Sequence, residues 1–124
     1  MENQNLSCSC NDKAEKIVMS CSGASDVGQI SDLLARKLRD NKVRSMKCLT
    51  MIAIDNKPLI EAVQNSNTLV IDGCPIDCGR RILEKAGLSN FSYMRITDYG
   101  LVKGKTPVNV ETINTVYQEA IKIL

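Results

Sequence analysis

Short, unbroken apolar runs alternate along this chain with longer segments whose apolar residues recur every three or four positions. That alternation constrains the fold more than any other feature. Ile17-Val18-Met19 and Leu69-Val70-Ile71 have no polar interruption. They are too short for helices and end in polar or turn residues, so they read as strands buried on both faces. From Ser25 to Asn41, Val27, Ile30, Leu33, Leu34 and Leu38 recur at helical steps and mark one apolar face. Ser25 or Asp26 is expected to cap the start of that helix, and Asn41 its end.

The rest of the chain continues the pattern. Val43–Leu49 reads as a second strand, and Pro58 as a first-turn residue of a short helix reaching Asn65. Thr68–Ile71 forms the third strand. Pro75–Ala86 reads as a helix closed by Gly87, and Phe91–Ile96 as the fourth strand. Val110, Ile113, Val116, Tyr117, Ala120, Ile121 and Leu124 mark a closing helix. This order predicts an α/β fold: a single three-layer domain with a four-stranded, mostly parallel open sheet and helices on both faces. The expected strand order is 2-1-3-4, flavodoxin-like. Residues 1–14 have no periodic apolar face and read as a flexible polar arm carrying Cys8 and Cys10. Residues 15–124 then form the domain.

Composition removes whole classes of function. None of the 124 residues is histidine, which excludes Ser-His-Asp and Cys-His catalysis and every His-ligated metal or haem. Sixteen basic residues against fourteen acidic ones give a net charge of +2, and only three tyrosines and one phenylalanine could stack on bases. No nucleic-acid partner is expected. The N-terminal residues lack the basic and apolar regions of a secretory signal, and no apolar run is long enough to span a bilayer. The expectation is a cytoplasmic chain with no membrane partner, in a compartment that keeps thiols reduced.

There are six cysteines, and in such a compartment a cluster of them points to metal or redox work. Cys21 ends the first predicted strand, Cys48 the second, and Cys74 follows the third. Open parallel sheets bind ligands beyond the carboxyl ends of their strands, so these thiols should converge. Cys78 joins them through Cys74-Pro75-Ile76-Asp77-Cys78. With Pro75 as the first helical residue, Cys74 becomes the N-cap and Cys78 lies one turn in. Residues four apart on a helix have Cβ atoms about 5–6 Å apart, compatible with two of four sulfurs each about 2.3 Å from one zinc ion. Helix N-termini after Cys21 and at Cys74 are expected to lower the thiol pKa values.

Blander readings stand beside these. A lone cysteine is most often a small buried hydrophobe, an alternative that applies best to Cys48. Cys8 and Cys10 could ligate a soft metal or stay idle. Asp72 reads first as a turn residue, Asp98 as a cap, and Arg80 and Arg81 as a solvated helix face. Phosphate loops fail on their residues. Gly23 to Gly28 is followed by Gln29-Ile30 where a P-loop needs Lys-Ser/Thr. Val27 stands where a phosphatase-type loop starting at Cys21 needs arginine.

Taken together, Cys21-Ser22-Gly23-Ala24-Ser25, Gly28-Gln29, Cys48-Leu49, Ile71-Asp72-Gly73-Cys74-Pro75, Asp77-Cys78 and Thr97-Asp98 resemble the DGC-domain proteins. The resemblance covers residues 16–124. These small prokaryotic proteins are described as zinc-binding through four chelating cysteines, which correspond here to Cys21, Cys48, Cys74 and Cys78. The family tends to carry glycines after Cys48, where this chain has Thr50-Met51-Ile52-Ala53.

The expectation is therefore a four-thiolate metal site at the carboxyl edge of the sheet. Zinc is the default occupant, and iron or an iron–sulfur cluster the alternative. Its role would be sensing, carrying or delivering a metal or soft anion rather than catalysis. The rival is a thiol–disulfide or sulfur-transfer enzyme using Cys21, Cys74 or Cys78.

Overall fold

A computed structural model describes residues 14–123 of the chain. Four strands form one sheet: β1 (Lys16–Ser20), β2 (Ser45–Met46), β3 (Asn67–Asp72) and β4 (Phe91–Arg95). Their order is β2-β1-β3-β4 and every pairing is parallel. This is the α/β fold and the strand order expected from the sequence, open and not closed into a barrel. In the long central pair, Ile17 lies opposite Thr68 and Met19 opposite Val70.

Side chains alternate across the pleat and give the sheet two buried faces. Val18, Leu69, Ile71 and Met94 face one helical layer, and Ile17, Met19 and Val70 face the other. The first layer is α1 (Asp26–Asp40) with α5 (Val110–Ala120), which supply Ile30, Leu34, Leu38, Val116 and Ala120 to the core. The second is α2 (Leu49–Ala53), α3 (Lys57–Gln64) and α4 (Cys78–Lys85), with Ile52, Val63 and Leu83 buried.

Helix ends follow their capping residues. Ser25 caps α1 by accepting from the Gly28 N–H, and Asn41 closes it. Asn56 caps α3 with Pro58 in its first turn, and Asn109 and Thr112 form a reciprocal capping box on α5. The closing helix stops at Ala120, short of the expected Leu124, which lies outside the described residues.

The second strand departs most from expectation. Only Ser45 and Met46 pair with β1, and Leu49–Ala53 turns into a short helix. Arg44 marks the strand's amino end. It is buried, and its guanidinium donates to the carbonyls of Ile17, Asn67 and Ile123 and to the Asn67 side chain. The residue thus closes the amino edge of the sheet instead of extending β2. No helix among the described residues is long and apolar enough to cross a membrane. The proposed arm, with Cys8 and Cys10, lies outside the described residues except for Ala14.

Candidate functional site

Chain direction reverses its progress across the sheet between β1 and β3, and ligand crevices of open α/β sheets form at such a switch. Cys21 follows β1 directly, its N–H donating to the Ile71 carbonyl at 2.9 Å. Cys74 lies two residues beyond β3, so these two thiols border the switch. Cys48 lies two residues beyond β2 and caps α2, and Cys78 opens α4. All four are free thiols: Cys21 and Cys74 are half-buried, Cys48 and Cys78 exposed. Cys48 is therefore no core hydrophobe.

Glycine lets the loops carrying these thiols come together. A Cβ on Gly73 would meet the Gly28 nitrogen and the Val27 carbonyl carbon at 2.8 Å. The turn after β3 can lie against the first turn of α1 only without a side chain there. The Gly73 carbonyl also accepts from the Thr97 N–H at 3.2 Å, which ties the end of β4 to the same turn.

Helix α4 begins later than the sequence suggested. Pro75 occupies the second position of a turn closed by the Asp77 N–H donating to the Cys74 carbonyl at 3.1 Å. Asp77, not Cys74, is the N-cap, with φ of 58° in the left-handed region. The cause is Asp72, which is 1% exposed. Its carboxylate accepts from the Gly79 N–H at 2.8 Å and the Arg80 N–H at 3.0 Å, satisfying the first free donors of the helix. A Cβ on Gly79 would sit 2.8 Å from that carboxylate oxygen, so glycine is required at this contact.

A second layer of charge holds this cap. The Tyr93 hydroxyl lies 2.8 Å from carboxylate oxygens of both Asp72 and Asp77. Arg95 donates twice to Asp77, at 2.8 and 2.7 Å, and also reaches Asp98 at 3.3 Å. The Arg95 hydrogen bonds hold the Asp77 carboxyl below its usual range. Burial and the two carboxylate acceptors push the Tyr93 phenol well up. Asp98 thus serves as an Arg95 partner, and Arg80 pairs with Glu84 while lying over the Tyr93 ring.

This arrangement reverses the electrostatics expected of Cys21. Burial pushes its thiol up, the Gly23 backbone opposes that, and the charge of Asp72 with the neighbouring Cys78 and Cys74 adds to it. The positive end of α4 is already occupied by Asp72. What reaches Cys21 from there is a carboxylate rather than a helix N-terminus.

Cys21, Cys48 and Cys78 line one cavity of about 450 Å³. Cys74 is not in its lining, and its sulfur accepts from the Lys103 ammonium at 3.6 Å. The loop bearing Lys103 is strapped to α1. The Asp26 carboxylate accepts from the N–H groups of Gly104 and Thr106, each at 2.9 Å, and these bonds pull its pKa down. Among the described residues, no three Cys, Asp or Glu side chains stand close enough together to hold a metal ion as they are.

Sequence reasoning found the four thiols but not the roles of Asp72, Tyr93, Arg95 and Asp26. Asp72 was visible only as part of the Asp-Gly-Cys triplet, and nothing in the spacing tied Tyr93 or Arg95 to Asp77.

A family model described as the DGC domain matches residues 17–120, which takes in all four cysteines. The anaerobic and virulence modulator AnvM of Pseudomonas aeruginosa is 27% identical over 88 residues, covering 70% of this chain and 67% of that protein. No solved structure matches the chain.

Proposed function

The chain belongs to the DGC-domain family, and from that premise we propose that it is a small regulatory protein whose working part is the thiol-bearing edge of its sheet. Cys21, Cys48, Cys74 and Cys78 are the ligands of a soft metal ion, zinc by default. The observation that supports this reading is that four free thiols follow the carboxyl ends of β1, β2 and β3, on one edge of the sheet. AnvM is by its name a modulator, which favours sensing over turnover. Reduced thiols suit a cytoplasmic setting.

Electrostatics separates a cation site from a nucleophile. A buried carboxylate behind Cys21 disfavours a lone thiolate, and the same negative charge favours a cation among the sulfurs. Cys48 and Cys78 are exposed, and Cys74 sits in a turn at the same edge. The donor set fits a soft ion chemically, and the four sulfurs would have to draw together to ligate it, since no three of these side chains stand close enough as they are. Bound, the ion would neutralise the thiolates and cross-link four loops.

A second reading, thiol–disulfide or sulfur-transfer chemistry, draws on two observations. The ligands are not preassembled, and a lysine ammonium sits against the Cys74 sulfur. The raised thiol of Cys21 argues against that residue as the nucleophile.

Anaerobic metal analysis with a free-thiol count tests the first reading. Wild type should retain one zinc with its four site thiols protected from alkylation. Cys78→Ser should lose most of the metal and keep its fold, since serine is a poor soft-metal ligand. A chain that takes up no zinc and leaves all four thiols reactive contradicts it.

A further inference from the structure

The cavity beside the thiols has features that metal ligation does not use. At about 450 Å³ it lies in the range of small-molecule sites. Ser20 contributes to its wall but is 6% exposed, its hydroxyl enclosed by protein.

Charge defines that occupant further. Arg36, Arg39 and Lys47 line the cavity against a single carboxylate, Asp32. Asp32 is already engaged, accepting from Ser22 at 3.0 Å and from Arg36 at 2.9 Å. Arg39 and Lys47 pair only with exposed acids outside the lining, Asp40 at 2.9 Å and Glu15 at 3.8 Å. Exposed pairs of this kind contribute little and exchange readily. Met46, Leu49 and Ile82 supply an apolar wall.

We propose that this cavity binds small acidic disulfides and exchanges with them at Cys48. Three thiols in the lining define the sulfur chemistry, and the cations select carboxylates. Of the three thiols, Cys21 is half-buried, whereas Cys48 is exposed and follows Lys47 in the chain. Cys78 follows the acid Asp77. The Cys48 thiolate attacks one sulfur of the small disulfide. That S–S bond breaks and a Cys48–S bond forms. The other half leaves as a thiolate and takes a proton from water. The small disulfide is the oxidant: Cys48 gives up the electrons that reduce the departing half, so no further oxidant is needed.

This inference does not rest on metal binding, and a chelator in the reaction separates the two. The full-length reduced chain is mixed at low ionic strength with oxidised glutathione, which is acidic, or with cystamine, which is cationic. Adduct formation is followed by intact mass and peptide mapping. Each rate is divided by that of the urea-unfolded chain with the same probe, which removes intrinsic reactivity.

The folded chain should favour oxidised glutathione over cystamine by about 10-fold on this scale, with the adduct on Cys48. Reversing the two surface cations, Arg39→Glu with Lys47→Glu, should abolish or invert the preference. Equal normalised rates for the two probes, or a first adduct on Cys74 or Cys78, would overturn the proposal.

Discussion

The two edges of the sheet are built from the same four strands and use their polar groups in opposite ways. At the amino edge, one buried guanidinium, that of Arg44, satisfies three backbone carbonyls and an asparagine side chain. A concavity of about 600 Å³ there, around Gln64, Asn67 and Asn90, is lined among the described residues by neutral side chains and no thiol. At the carboxyl edge, the thiols stay free of disulfides, and the charged pairing lies one layer back. Asp72, Tyr93, Asp77 and Arg95 satisfy one another and the start of α4, while the four thiols in front of them stay free. One edge is closed by a buried guanidinium; the other sets its free thiols in front of a hydrogen-bonded layer of charged and phenolic side chains.

The sharpest way to break that contrast is to remove Asp72. Asp72→Ala strands two helix N–H groups and leaves the Tyr93 hydroxyl one acceptor fewer. It should cost about 3 kcal/mol in urea unfolding. Asp72→Asn keeps the shape and part of the bonding. It should cost less, and should bring the Cys21 thiol down toward its ordinary value by removing a charge that raises it. The pH dependence of Cys21 alkylation reads this out; an unchanged profile would detach Asp72 from the site.

Arg44→Met is the counterpart at the other edge. Losing a buried donor to several carbonyls should cost roughly 2 kcal/mol. Alkylation rates of Cys48 and Cys78 should stay at the wild-type level. If thiol reactivity shifts along with stability, the two edges are not separable in the way described.

Acid should produce the smallest effect, and only at the carboxyl edge. Asp26 and Asp77 both titrate below the usual carboxylate range in the folded protein. Their contribution is therefore present above the unfolded carboxylate pKa, and is lost as pH falls below about 4. Protection of the Gly104 and Thr106 amides, which donate to Asp26, taken relative to the intrinsic exchange rate at each pH, should fall there before the core strands lose theirs. Amides at the Arg44 edge should not respond over the same interval.

The contrast also explains what could be read from the sequence. Ile17-Val18-Met19 and Leu69-Val70-Ile71 show a strand buried on both faces because burial is written in the residues themselves. The same holds for the apolar face of α1 and for its Ser25 and Asn41 caps. Cysteines placed after such strands could be assigned to one edge by topology alone. The failures all lie where a distant polar partner decides local structure. Arg44 reads as a surface charge but turns inward at the amino end of β2. Pro75 reads as a helix start, yet Asp72 fixes that start at Cys78. The ligation of Asp77 by Arg95 joins residues 18 positions apart, and no periodicity records it.

The central claim is that Cys21, Cys48, Cys74 and Cys78 act as one metal site at the switch. Cobalt(II), which takes the place of zinc in tetrahedral thiolate sites and colours them, tests it most directly. Titrated anaerobically into the reduced full-length chain, cobalt should give an intense sulfur-to-metal absorption band that saturates at one ion per chain. Each of the four single Cys→Ser variants should weaken that band sharply. A band that persists unchanged without Cys48 or without Cys74, or no band at all in the wild type, would contradict the account.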